Sequence, residues 1–224
     1  MGLLELVWHW FAQPENWTGP TGIWHRLFQH TWYSGVSLLI AAAVALPLGL
    51  LVGHTGRGAF LAANSANAAR ALPTLGLLTL VVLAAGIGLV PVLVPLIALA
   101  IPPILVNTYE GIRQVDAELR GAAQGMGMTG WQVLTRVELP VALPLILLGL
   151  RTSVIQVVST ATIAAYVGLG GLGRFIFDGL ARQHYDAVAG GAILAALLAV
   201  VAEVVFVAIQ RLTVSPGVSQ RTRA

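Results

Sequence analysis

Residues 31 to 53 read TWYSGVSLLIAAAVALPLGLLVG, a run with no charged side chain. About 20 such residues suffice for a helix to cross roughly 30 Å of hydrocarbon. A helix apolar on every face belongs in lipid or in the core of a large protein. Working outward, a polar stretch from His54 to Arg70 is followed by a second apolar run, Ala71 to Val90. Pro91 is expected to break it, and a third run continues to about Thr108. Charges dominate from Glu110 to Glu138; a fourth run then ends near Gly168 and a fifth extends from Ala187 to Gln210. The pattern predicts an all-α, polytopic integral membrane protein with five transmembrane helices.

Composition agrees. Of 224 residues 57% are hydrophobic and only 9% are charged, and the mean hydropathy is +0.85. Soluble domains carry about 25% charged residues, so this chain lacks the polar surface for water. All 12 basic residues are Arg, and they form no cluster that would track a nucleic acid. Without Lys there is no Walker A loop, so the chain is not expected to hydrolyse ATP by that route. Without Cys there are no disulfides, thiol nucleophiles or Cys-ligated zinc. No catalytic residue, no metal site and no cofactor of its own is expected.

Arginine counts orient the five spans. One side holds Arg57, Arg70, Arg113, Arg120, Arg136, Arg211, Arg221 and Arg223, against Arg26, Arg174 and Arg182 on the other. The positive-inside rule puts the first set in the cytoplasm, the N-terminus outside and the C-terminus inside. The first thirty residues lack the basic start and small-residue cleavage site of a signal peptide. They hold Trp8, Trp10, Trp17 and Trp24, with Trp32 just after. Indole rings favour the membrane boundary, so this segment is expected to lie at the outer interface as an anchor, the alternative being a docking surface for an external partner.

Residues 110 to 144 read EGIRQVDAELRGAAQGMGMTGWQVLTRVELPVALP. Asp116 is placed to cap a helix from about Ala117 to Met126, with Gly125 and Gly127 ending it. Thr129 is placed to cap a second short helix through Trp131 and Val133, and Pro140 and Pro144 close the loop. Gly121, Ala122 and Ala123 are small enough for a partner to approach closely. A short cytoplasmic helix between two spans suits docking into a groove.

Ala122-Ala123, then Gly127, then Val137-x-Leu139-Pro140 resembles the EAA loop of ABC importer permeases, with Gly121 where that family has Glu. Further stretches look like its osmoprotectant branch: GMGMT at 125–129, VELPVALPLILLGLRTS at 137–153 and TATIAAYVGLGGLG at 160–173. So do GPTGIWHRLFQH at 19–30, ALPLGLLVGHTGRG at 45–58 and ALPTLGLLTL at 71–80. The resemblance is to permeases of glycine betaine, choline, carnitine or proline importers. It implies a type I importer permease with a MetI-like five-helix core, in a bacterial-type cytoplasmic (inner) membrane. It implies a second permease chain, two ABC ATPase subunits that bind ATP and Mg, and an extracytoplasmic solute-binding protein. On it, Arg120, Gly121, Ala122, Ala123, Gly125, Gly127 and Thr129 would form the ATPase-coupling helix and its turn. The organisation implied is an interfacial segment over 1–30, a permease domain over 31–210 with its coupling loop at 110–141, and a tail over 211–224.

Other residues have two readings. Gly168-x-Gly170-x-x-Gly173 matches a dinucleotide fingerprint but ends an apolar span rather than a strand; a bent, mobile loop at the outer mouth is expected instead, followed by a short helix within Arg174–Asp186. That helix either contacts the binding protein or merely connects two spans. Gly49 and Gly53 form a G-x-x-x-G pair, weak evidence of close helix packing. Arg151 either snorkels to the cytoplasmic boundary or pairs with an acid, and Glu203, inside the fifth span, is expected to be paired rather than to relay protons. Asn64 and Asn67, with Thr160, Thr162 and Tyr166, are candidates for lining the path. Tyr166 is the main aromatic deep enough to meet a quaternary ammonium, so tight capture is assigned to the partner binding protein. Alternatives are an ABC permease for methionine or a phosphonate, an ion- or proton-coupled carrier, and a membrane scaffold.

Overall fold

The computed structural model describes residues 2–60, 64 and 73–213. Their elements are all helical: α1 (Leu3–Ala12), α2 (Ile23–Thr55), α3 (Thr74–Ala85), α4 (Leu89–Arg113), α5 (Ala117–Gly125), α6 (Gly130–Val133), α7 (Leu139–Ala161), α8 (Gly173–Arg182) and α9 (Tyr185–Thr213). A π turn, Leu134–Glu138, joins α6 to α7, and a 3-10 turn, Ile163–Val167, follows α7.

Four stretches among the described residues are long and apolar enough to cross a membrane: Ile23–Thr55, Leu89–Arg113, Gly130–Val167 and Tyr185–Thr213. The second of the five expected spans is not among them. It contains α3, a helix of 12 residues, about 18 Å at 1.5 Å per residue and short of the hydrocarbon thickness. Gly86 stops α3: it takes φ 87°, and its N–H donates to the Val82 carbonyl at 2.8 Å. The break therefore falls at Gly86. Pro91 instead sits in the first turn of α4, where the missing N–H has no helical partner to lose.

The chain forms two compact units. Unit 1 comprises Met1–Ile40, Leu72–Leu99 and Val154–Ala202; unit 2 comprises Ala41–Ala71, Ala100–Ser153 and Glu203–Ala224. In unit 1, Leu78, Val92, Leu96, Ala161 and Ala164 form a buried apolar cluster. Trp10 belongs to the interior of this unit. It is 4% exposed, meets Phe175 edge-on with ring centroids 5.2 Å apart, and lies so close over Gly190 that a Cβ there would strike the indole. Trp8, Trp24 and Trp32 are exposed, as interfacial anchors would be. The boundary reading thus fails for Trp10, because its ring fills the space left by a glycine 180 positions along the chain.

In unit 2, glycines let helices approach closely. A Cβ on Gly49 would come 2.7 Å from Thr108 Cβ, and one on Gly53 2.6 Å from Ile112 Cβ. The G-x-x-x-G pair thus serves packing of α2 on α4 within the chain. On α7, a Cβ at Gly149 would lie 2.8 Å from Asn107 Cβ. Ile112, Ala142 and Ile146 form the buried cluster here, with Leu46, Leu50 and Leu134 against it. Arg151 pairs with Glu203 through two contacts, Nε donating to Oε2 at 2.7 Å and Nη2 to Oε1. The pairing reading replaces the snorkelling one, since a charge in an apolar span is least costly beside its opposite.

Candidate functional site

The loop between α4 and α7 is built from local signals. Asp116 precedes α5 and its Oδ1 accepts from the Glu118 N–H at 2.9 Å, satisfying a donor that the first turn leaves free. At the other end the Gly127 N–H reaches the Gln124 carbonyl at 2.9 Å, and the Met128 N–H reaches that of Ala123 at 3.2 Å. This bond pair is a Schellman stop, whose central residue must be left-handed. Gly127 supplies that with φ 84°. Gly125 plays no part in the stop, being the last residue of α5 itself. Thr129 then opens α6 in a capping box. Its hydroxyl accepts from the Gln132 N–H at 3.3 Å, and Gln132 Oε1 accepts from the Thr129 N–H at 2.8 Å.

The result is two short helices at a tight corner, with an outward face. Gly121, Ala122, Gln124 and Gly125 are exposed. So are three large apolar side chains: Leu119 at 41%, Met126 at 74% and Trp131 at 73%. Nothing lies within 4 Å of a Cβ built on Gly121, Gly125 or Gly127, so the corner is open on that side. Ala123 is buried, so it packs α5 down rather than meeting a visitor.

The polar residues beneath α5 were not singled out by the sequence reading. Glu138 is 1% exposed, and its carboxylate lies 2.6 Å from His54 Nδ1 and 2.9 Å from Arg120 Nε. The Arg120 contact is an ion pair without an aligned hydrogen bond, while Arg120 Nη2 donates to the Ile112 carbonyl. A buried carboxylate costs several kcal/mol unless it is paired, and here two cationic or donor side chains meet it. Pro140 accounts for its position. The proline ring clashes with the carbonyl four residues back, and the chain answers with the wider π turn, in which the Leu139 N–H bonds to the Leu134 carbonyl. A charge immediately before Leu-Pro at the start of an apolar run was the available signal.

The candidate path residues divide between the units, Asn64 in unit 2 and Thr160, Thr162 and Tyr166 in unit 1. Asn64 is exposed and its amide donates to the Phe60 carbonyl at 2.9 Å. Asn67 lies outside the described residues. Thr160 is half-buried, and the Thr162 hydroxyl donates to the Ser159 carbonyl at 2.6 Å. Tyr166 is 60% exposed and packs on Phe177 with centroids 5.4 Å apart.

The glycine loop after α7 is held rather than open. The Gly171 N–H donates to Gln29 Oε1 at 3.0 Å and the Leu172 N–H to His30 Nδ1 at 3.3 Å. His30 is fully buried, and with Nδ1 accepting, its Nε2–H donates to the Val158 carbonyl at 2.9 Å. Beyond the loop, α8 borders a pocket of about 330 Å³ lined by Arg26, Arg174, Arg182 and His184, with Asp178 as its acid. Asp178 is paired with Arg174 at 3.1 Å.

The family described as "Binding-protein-dependent transport system inner membrane component" matches residues 45–216. The glycine betaine/carnitine/choline transport system permease protein OpuCB of Bacillus subtilis is 35% identical over 193 residues, covering 86% of this chain and 89% of that protein. The carnitine transport permease OpuCB of Listeria monocytogenes is 37% identical over 178 residues, covering 80% and 82%. The osmoprotectant import permease OsmW of Salmonella typhimurium is 32% identical over 179 residues, covering 78% and 83%. In structure, a chain of the MetNI methionine ABC transporter in an inward-facing conformation superposes with TM-score 0.74 at 22% identity, over 86% of this chain and 96% of that one. That likeness establishes the MetI-type permease fold. With the family matching over most of its length, the chain belongs to the inner-membrane permease components of binding-protein-dependent transport systems.

Proposed function

We propose that this permease imports a compatible solute, such as glycine betaine, choline, carnitine or proline, in an ATP-driven complex. ATP and Mg are bound by a separate ABC ATPase, and an extracytoplasmic binding protein captures the solute. The chain works beside a second permease chain, with its N-terminus outside and its C-terminus in the cytoplasm. The observation that carries this reading is the capped α5–α6 corner with its outward Leu119, Met126 and Trp131. A rigid corner bearing exposed apolar side chains fits a groove on another protein. Arg120 through Thr129 is the segment through which ATPase movement reaches the permease, and the chain itself does no covalent chemistry. Asn64, Asn67, Thr160, Thr162 and Tyr166 line the route of the solute. The Arg-lined pocket beside α8 is offered to the binding protein. The names of the relatives support the osmoprotectant class over methionine or a phosphonate. Arg151 paired with Glu203 leaves no free acid there to relay protons, which counts against a proton-coupled carrier.

The test is uptake in proteoliposomes that contain the chain with its ATPase and binding protein. Labelled glycine betaine, choline, carnitine, proline and methionine are compared with and without internal ATP. The reading expects ATP-dependent accumulation of at least one osmoprotectant and not of methionine. Accumulation driven by an ion gradient without ATP would overturn it.

A further inference from the structure

We propose that Glu138 is a positioning residue for the coupling helix: its buried carboxylate ties Arg120 of α5 to His54 at the end of α2, and movement of α5 reaches the spanning helices through this clamp. The inference rests on the coupling role given to α5 above and goes beyond it by naming the linkage. Three observations carry it. First, α5 has few tethers. Of its nine residues only Arg120 and Ala123 are not exposed, so Arg120 is its one polar hold on the structure beneath. Second, that hold ends on Glu138, which is 1% exposed and in contact with His54 at 2.6 Å. The carboxylate, carried by the π turn, therefore meets side chains from two other stretches: the coupling helix and the end of α2. Third, the π turn leads straight into α7, so Glu138 is joined to that helix through the backbone. A buried ion pair is a weak source of net stability, yet removing one partner leaves an uncompensated group. Its best-attested use is to fix one arrangement over others, which is what a transmission contact requires.

Glu138→Gln is the variant of choice, since it keeps shape and removes the charge. It is reconstituted with its ATPase and binding protein, and solute transported is measured per ATP hydrolysed at equal amounts of assembled complex. Glu15→Gln, on an exposed turn of unit 1, is the control. The clamp predicts that Glu138→Gln still assembles and hydrolyses ATP but moves about twofold to thirtyfold less solute per ATP, in line with the ~0.5–2 kcal/mol by which linking residues alter coupling. Arg120→Gln added to Glu138→Gln should cost less than the product of the two single losses, because both remove the Arg120–Glu138 contact and only Arg120→Gln also removes the bond to the Ile112 carbonyl. Transport per ATP equal to that of the unaltered complex, or losses from the two changes that simply multiply, would overturn it. If Glu138→Gln is not recovered folded, His54→Gln decides, since His54 is the partly exposed end of the clamp. Hydrogen exchange of the permease in nanodiscs separates the clamp from the transport reading. Amides of α5 should exchange faster in Glu138→Gln than in the unaltered chain. Unchanged exchange defeats the clamp, whereas an unaltered complex without ATP-driven uptake defeats the transport reading.

Discussion

Two regions use the same residue types to opposite ends. The α5–α6 corner has Gly127 and Trp131, and unit 1 has Gly170, Gly173 and Trp10. At the corner, glycine supplies a backbone conformation: Gly127 is left-handed with nothing within 4 Å of its missing Cβ. In unit 1, Gly170 and Gly173 supply space instead: a Cβ on Gly170 would strike Gln29 Oε1, and one on Gly173 the carbonyl oxygen of Thr162. The tryptophans divide in the same way, with Trp10 at 4% exposure and Trp131 at 73%. A region that holds its shape fills its interior with the large ring, whereas the corner proposed to meet the ATPase turns that ring outward. Substitution separates these uses.

The largest effect is expected at Trp10. Trp10→Ala empties a buried site beside Gly190 and Phe175, and core Trp→Ala changes cost about 3–5 kcal/mol. The purified chain should lose its thermal transition in detergent or show it at much lower temperature. Gly173→Ala comes next, because its Cβ meets backbone that cannot swing aside; overpacking costs about 1–3 kcal/mol, read in the same melt. Gly127→Ala is milder. There is room for the methyl, and the cost is that of a left-handed residue with a Cβ, about 1–2 kcal/mol. Its signature should be functional, with less solute moved per ATP while the melting temperature falls by only about 2–8 °C. Trp131→Ala should leave the melt within about 0.5 kcal/mol, as exposed substitutions do, yet weaken ATPase binding in a pull-down titration. Equal melting losses for Trp10→Ala and Trp131→Ala would erase the contrast between the two regions.

Legibility in the sequence followed range. The caps at Asp116 and Thr129 and the stop at Gly127 were readable because each is decided within five positions. The apolar runs marked the spanning helices, and Arg151 and Glu203 were each visible as a charge in an apolar stretch but not as partners of one another, being 52 positions apart. α3 was drawn too long because hydropathy does not register Gly86, whose positive φ ends the helix inside an apolar run. Trp10 was misplaced because its burial depends on Gly190, far along the chain. Glu138 went unnoticed for a related reason. Its partners, Arg120 and His54, lie 18 and 84 positions away, and only the fold brings them together. The bend at 168–173 was legible, but its hold by Gln29 and His30 was not, since that again needs contacts more than 140 positions apart.

The central claim is that the α5–α6 corner is where this permease meets the ATPase. Because the chain has no cysteine, a single introduced thiol reports one position. Met126→Cys and Trp131→Cys, in the assembled complex, would be treated with a short thiol-to-amine cross-linker, with Leu4→Cys on exposed α1 as the comparison. The account predicts permease–ATPase adducts from positions 126 and 131 and none from position 4. Adducts from position 4, or their absence at both corner positions in a complex that hydrolyses ATP, would contradict it.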